Sequence, residues 1–129
     1  MSTVVKKKRP VYINLIKIRL PLPGIVSILH RVSGAGLFLL LPLLLCLLGG
    51  SLESQASYDQ IHEWMAAPFA KLLISGLVWA YLHHFCAGIR YLLLDVHCGI
   101  SLPAARASSR WVLIIGLLLT FTVWYRIWL

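Results

Sequence analysis

Two stretches of this chain combine histidine, arginine and hydroxyl side chains at helical spacing within otherwise apolar runs. The first holds Ser27, His30, Arg31 and Ser33; the second holds His83, His84, Arg90 and, just beyond, Asp95. Ser27 and Arg31 are four residues apart and share one helix face, with His30 three from Ser27. A hydroxyl beside a guanidinium can anchor a carboxylate, a phosphate or a polarised carbonyl. The competing reading is an arginine that snorkels to headgroups while the serine bonds its own backbone.

Adjacent histidines point about 100° apart on a helix, so His83 and His84 serve different faces. The His84 face carries Gly76, Ala80, Gly88, Tyr91 and Asp95, and its small residues leave room for a flat cofactor or for a second helix. The His83 face carries Trp79, Ala87 and Arg90, and Trp79 crowds it. His84 is therefore the better ligand candidate, against the alternative of a packed, hydrogen-bonded histidine. The chemistry that suits a lone imidazole is axial ligation of haem iron. Zinc would ask for four ligands, and none lies three or four residues beyond His84. A haem also brings two propionates, which His30, Arg31 and Arg90 can neutralise. A second axial group would come from His30 or from another subunit.

The elements that must position these residues follow from composition. Of 129 residues, 60% are hydrophobic and 12% charged, with mean hydropathy +0.85. A soluble domain has about a quarter of its residues charged, and a disordered chain pairs low hydrophobicity with high charge. Both classes are excluded, and an all-α integral membrane protein is expected. The net charge of +8 does not indicate nucleic-acid binding. Lys6, Lys7, Lys8, Arg9, Lys17 and Arg19 precede the first apolar run, as the positive-inside rule expects of a cytoplasmic segment. Cys46, Cys86 and Cys98 form neither a disulfide framework nor a C-x-x-C pair.

Three transmembrane helices are expected, at about 24–50, 68–95 and 109–129, after a cytoplasmic segment 1–23; residues 24–129 form one membrane domain. The first span holds Pro42, which membrane helices tolerate, and it is too long for a signal-peptide core. Residues 51–68 break the pattern and contain three of the four acids, with a short interfacial helix near 58–65. Residues 96–110 form the next break, with Gly99, Pro103 and three cations in or beside it (Arg90, Arg106, Arg110). The charge distribution puts the N-terminus and second break in the cytoplasm and the first break and C-terminus outside. Both polar clusters then lie in the cytoplasmic half of the bilayer at similar depth.

The chain resembles the cytochrome b membrane-anchor subunit (the large anchor) of bacterial succinate dehydrogenase, respiratory complex II. The resemblance rests on Arg9-Pro10, on Ser27-Ile28-Leu29-His30-Arg31-Val32-Ser33-Gly34 and on His84-Phe85-Cys86-Ala87-Gly88-Ile89-Arg90-Tyr91-Leu92-Leu93-Leu94-Asp95. It implies a non-catalytic subunit of the bacterial inner (cytoplasmic) membrane. Its expected partners are a second small anchor, an iron–sulfur subunit, a flavoprotein and the lipid bilayer. It implies ubiquinone as substrate, with Ser27 and Arg31 at the quinone site and Asp95 beside it. It implies haem b shared with the second anchor, His84 as iron ligand, and His30 and Arg31 near the propionates. Tyr91 stands where the family commonly has histidine; it can donate one hydrogen bond but supplies no positive charge. The competing readings are the anchor of a quinol:fumarate reductase and a non-redox structural membrane protein.

Overall fold

The computed structural model describes residues 18–128. The Arg9-Pro10 motif and the cations Lys6, Lys7, Lys8 and Lys17 lie outside the described residues. Among those residues the chain is all-helical, with α1 at Leu22–Glu53, α2 at Gln55–Ala66, α3 at Pro68–Asp95 and α4 at Leu102–Trp128. Helices α1, α3 and α4 are each long and apolar enough to cross a bilayer.

Proline starts α1. Pro21 is the extended residue before the helix, and Pro23 fills the first turn, where a missing N–H costs nothing. The 32 residues of α1 span about 48 Å at a rise of about 1.5 Å each, well beyond about 30 Å of hydrocarbon. Pro42 lies inside it, removing one backbone bond. The helix stops where Ser54 turns extended (φ −160°, ψ 162°). Ser54 Oγ then accepts from the Ser57 amide at 3.1 Å, capping α2. Ser57 Oγ donates back to the Gly50 carbonyl at 2.7 Å, satisfying one of the open acceptors of α1. The short helix expected near 58–65 is thus present, extended by this cap to 55–66, and it buries no side chain.

The join between α3 and α4 differs from the expected break at 96–110. The loop is residues 96–101 only, because α4 already begins at Leu102. Pro103 sits in its first turn, where proline favours a helix start. Arg106, Ser108, Ser109 and Arg110 therefore lie on helix, as two polar turns ahead of the apolar span. Helix α3 closes with a paired-bond cap: the His97 amide donates to the Leu94 carbonyl and the Cys98 amide to that of Leu93, both at 2.9 Å. The cap requires the left-handed conformation at His97 (φ 61°), a position usually given to glycine.

Helix α3 lies between α1 and α4 and packs on both. The side chains buried within the described residues are few and unusual for a core. Val26, Ala87 and Val112 are apolar; Ser33, His83, Arg90 and Ser109 are polar. Lipid tails are as apolar as leucine, so helices in a bilayer associate through close packing and polar contacts rather than by excluding water. Gly116 shows the close approach, since a Cβ there would lie 3.6 Å from His83 Cα. The large apolar residues point outward, including Phe38, Leu39, Leu72 and Phe121. At the far end of the bundle Lys71 Nζ lies 4.7 Å from the Trp128 ring centroid, tying the start of α3 to the end of α4.

The left-handed backbone at His97 costs a non-glycine residue about 1–2 kcal/mol. His97→Gly should therefore raise the thermal stability of the detergent-solubilised protein, whereas His97→Val should lower it. Equal melting of the three proteins would show that the cap does not limit stability.

Candidate functional site

The two polar clusters meet. His84, on α3, reaches across to α1, where its Nδ1 lies 3.0 Å from the His30 carbonyl oxygen and 3.3 Å from Ser33 Oγ. A carbonyl only accepts, so Nδ1 must carry the proton in this bond. Ser33 Oγ donates to the same His30 carbonyl at 3.0 Å, which leaves its lone pairs for Nδ1. The neutral ring therefore keeps its free lone pair on Nε2, the tautomer that a metal ion or a proton donor would meet. The carbonyl bond does for His84 what an outer partner does for metal-bound imidazoles: it fixes tautomer and ring plane together.

The ring is held on its faces as well. His30 stacks on His84 with centroids 4.1 Å apart and planes 8° from parallel. Tyr91, about two turns further on α3, packs tilted against His30 at 5.0 Å. The space for His84 comes from Gly34, one turn beyond His30 on α1. A Cβ at Gly34 would fall 2.7 Å from His84 Cε1 and 3.2 Å from Nδ1. The small residues that sequence reasoning singled out are on α3 and serve differently. A Cβ at Gly88 would meet His30 Nε2 at 3.8 Å, and one at Gly76 would meet nothing within 4 Å. The residues that shape the slot, Ser33 and Gly34, were visible as the end of the first motif. Their part in holding His84 was not, because it is made across helices.

His83 takes a different face of α3, as its spacing predicts. With Ala87 and Arg90 it forms the buried stripe of α3. Its ring is fully buried and stacked on Trp79 at 5.3 Å. Neither ring nitrogen has a hydrogen-bond partner among the described residues. Arg90 Nε donates to Ser108 Oγ at 3.0 Å, and its Cζ lies 5.2 Å from the Tyr91 ring centroid. Ser108 lies on the polar start of α4, so this contact joins that segment to α3. The Tyr91 hydroxyl is buried without a partner among the described residues.

The remaining candidates sit at the edge of this cluster. Arg31 Nη2 donates to Ser27 Oγ at 3.2 Å, so the shared face expected from the spacing is realised. Arg31 is exposed and Ser27 half-buried, leaving the pair open to a ligand or a neighbouring chain. Asp95 ends α3 and is exposed, and among the described residues no hydrogen bond joins it to Ser27 or Arg31. No three His, Cys, Asp or Glu side chains converge among the described residues.

Residues 5–123 match the family described as succinate dehydrogenase/fumarate reductase transmembrane subunit. The chain is similar to the succinate dehydrogenase cytochrome b556 subunit of Coxiella burnetii, with 34% identity over 122 residues, covering 94% of this chain and 98% of that one. It is also similar to the subunit of the same name from Paracoccus denitrificans, with 30% identity over 111 residues and 85% of each chain covered. The Rickettsia felis subunit of that name is 29% identical over 118 residues, covering 91% of each.

The slot around His84 gives a contrast between two glycines. Gly34→Ala puts a methyl group into a ring that is bonded and stacked, and overpacking of this kind costs about 1–3 kcal/mol. Gly116→Ala meets only ordinary contact distances. Thermal melting of the solubilised protein should therefore fall clearly for Gly34→Ala and stay near the parent for Gly116→Ala. Equal behaviour would mean that His84 does not occupy the slot.

Proposed function

The chain belongs to the succinate dehydrogenase/fumarate reductase transmembrane subunit family, and on that premise we propose that it is the haem- and quinone-binding large anchor of a succinate:quinone oxidoreductase. It is a cytochrome b-type anchor and a multi-pass membrane subunit, and its bacterial relatives fit the inner membrane. In this reading it pairs with a second small anchor and docks an iron–sulfur subunit and a flavoprotein on the cytoplasmic face. Electrons from succinate then reach ubiquinone at the membrane boundary. The N-terminus and the α3–α4 loop are cytoplasmic, in keeping with the N-terminal cations and with Arg90, Arg106 and Arg110 on the helices that flank the loop. The shared name of the relatives, succinate dehydrogenase cytochrome b556 subunit, favours this direction over fumarate reduction.

The observation that carries the proposal is the His84 bond to the His30 carbonyl. The donor set fits a haem b: Nδ1–H is committed to an acceptor, Nε2 holds the lone pair, and Gly34 admits the ring edge. His84 is then the iron ligand from this chain, the other coming from the second anchor. His30, stacked on His84, and Arg31 lie near the propionates. A bound haem b supplies reversible one-electron storage within the membrane. The chain's own contribution is to hold the imidazole in one tautomer and one plane.

Ser27 and Arg31 form the quinone site, with Asp95 near it as a participant in proton delivery. A quinone carbonyl gains negative charge as it is reduced. A cationic donor stabilises that state more than the neutral carbonyl, so Arg31 lowers the barrier while Ser27 orients the same oxygen.

The haem assignment is checked by purifying the intact complex through a tag on this chain and recording a reduced spectrum. His84→Tyr should remove or strongly alter the b-type band, while His83→Leu, which replaces a fully buried and unpartnered ring, should leave it intact. Loss of the band from the His83 variant alone would move the ligand by one residue.

The quinone site is checked by rates. A hydrogen bond to a charged group is worth about 1.5–3 kcal/mol and a neutral one about 0.5–1.5 kcal/mol. At about 1.4 kcal/mol per factor of ten, Arg31→Ala should slow succinate:quinone activity by roughly tenfold to a hundredfold, and Ser27→Ala by several-fold. Transfer from succinate to an artificial acceptor should persist in both assembled variants. Undiminished quinone reduction in both would refute the site.

A further inference from the structure

We propose that Ser33 is a positioning residue that sets the electron-donor strength of His84 toward haem iron; this rests on the haem reading above. The His84 Nδ1–H lies between two oxygens, the His30 carbonyl at 3.0 Å and Ser33 Oγ at 3.3 Å. The Ser33 hydroxyl proton points to the same carbonyl at 3.0 Å, so its lone pairs are left to face Nδ1 and offer the imidazole proton a second acceptor.

The position is built for this use. Ser33 is 6% exposed, one of four buried polar side chains in the described bundle, so water does not replace its oxygen. Its neighbour Gly34 supplies the space that brings His84 close enough to reach it. The two adjacent residues thus divide the work: Gly34 admits the ring and Ser33 polarises it. An imidazole whose Nδ1–H is held by two acceptors is a more basic ligand through Nε2 and favours ferric over ferrous iron. The hydroxyl therefore lowers the potential of the iron it never touches.

The test is a redox titration of the haem in the purified complex, comparing the parent with Ser33→Ala and Ser33→Thr. Ser33→Ala removes the second acceptor without adding bulk, so the midpoint potential should shift upward. Ser33→Thr keeps the hydroxyl and should restore the parent value; if the threonine variant does not assemble, the alanine variant alone decides. Loss of haem from Ser33→Ala but not from Ser33→Thr would support the same role. An unchanged or lowered potential in Ser33→Ala with full haem content would overturn it, as would equal shifts in both variants. Absence of haem from the parent complex, or its retention unaltered in His84→Tyr, would instead overturn the underlying ligand assignment.

Discussion

The bond from His84 Nδ1 to the His30 carbonyl is the constraint on which the relation between α1 and α3 depends. In lipid the exclusion of water does not drive helices together, so their register must be set by packing and by polar contacts that cannot be satisfied elsewhere. An imidazole N–H inside a bilayer has few alternatives. It finds a backbone carbonyl on the neighbouring helix, and the ring then has to lie flat on His30 and beside Gly34. One bond thereby fixes the rotation of both helices, the tautomer of His84 and the depth at which the two motifs meet.

The rest of the interior follows the same economy. On another face of α3, His83 lies against Gly116 of α4, and Ala87 packs between Val26 of α1 and Val112 of α4. Arg90 is retained in the bundle by Ser108, which lies on helix because α4 begins at Leu102. The polar side chains that look costly in the sequence are the ones that hold the three spans in register. The partners of His84 and Arg90 are hydroxyls and a backbone carbonyl rather than carboxylates.

That distribution separates two kinds of surface. The apolar faces of α1, α3 and α4 turn outward to lipid or to a neighbouring membrane subunit. Ser27 and Arg31 open at the edge of the His84 cluster. In the proposed function, a redox cofactor and its substrate approach the same end of the bundle from different sides, separated by roughly one helical turn of α1.

The sequence by itself determined the three apolar helices, the division of His83 and His84 between two faces, the Ser27–Arg31 pairing and the resemblance to the anchor family. These depend on hydropathy and on spacings of three and four residues, which act along one helix and need no knowledge of its neighbours. The early start of α4 was not legible, because Pro103 and the cations beside it read as a loop until Arg90 provides a partner for Ser108. Only the tertiary structure decided that Gly34, rather than Gly76 or Gly88, makes room for His84, and that Ser33 and the His30 carbonyl hold its proton. Those are contacts between residues about fifty positions apart. Their geometry is set by how closely two helices approach, a quantity that no periodicity within either helix encodes.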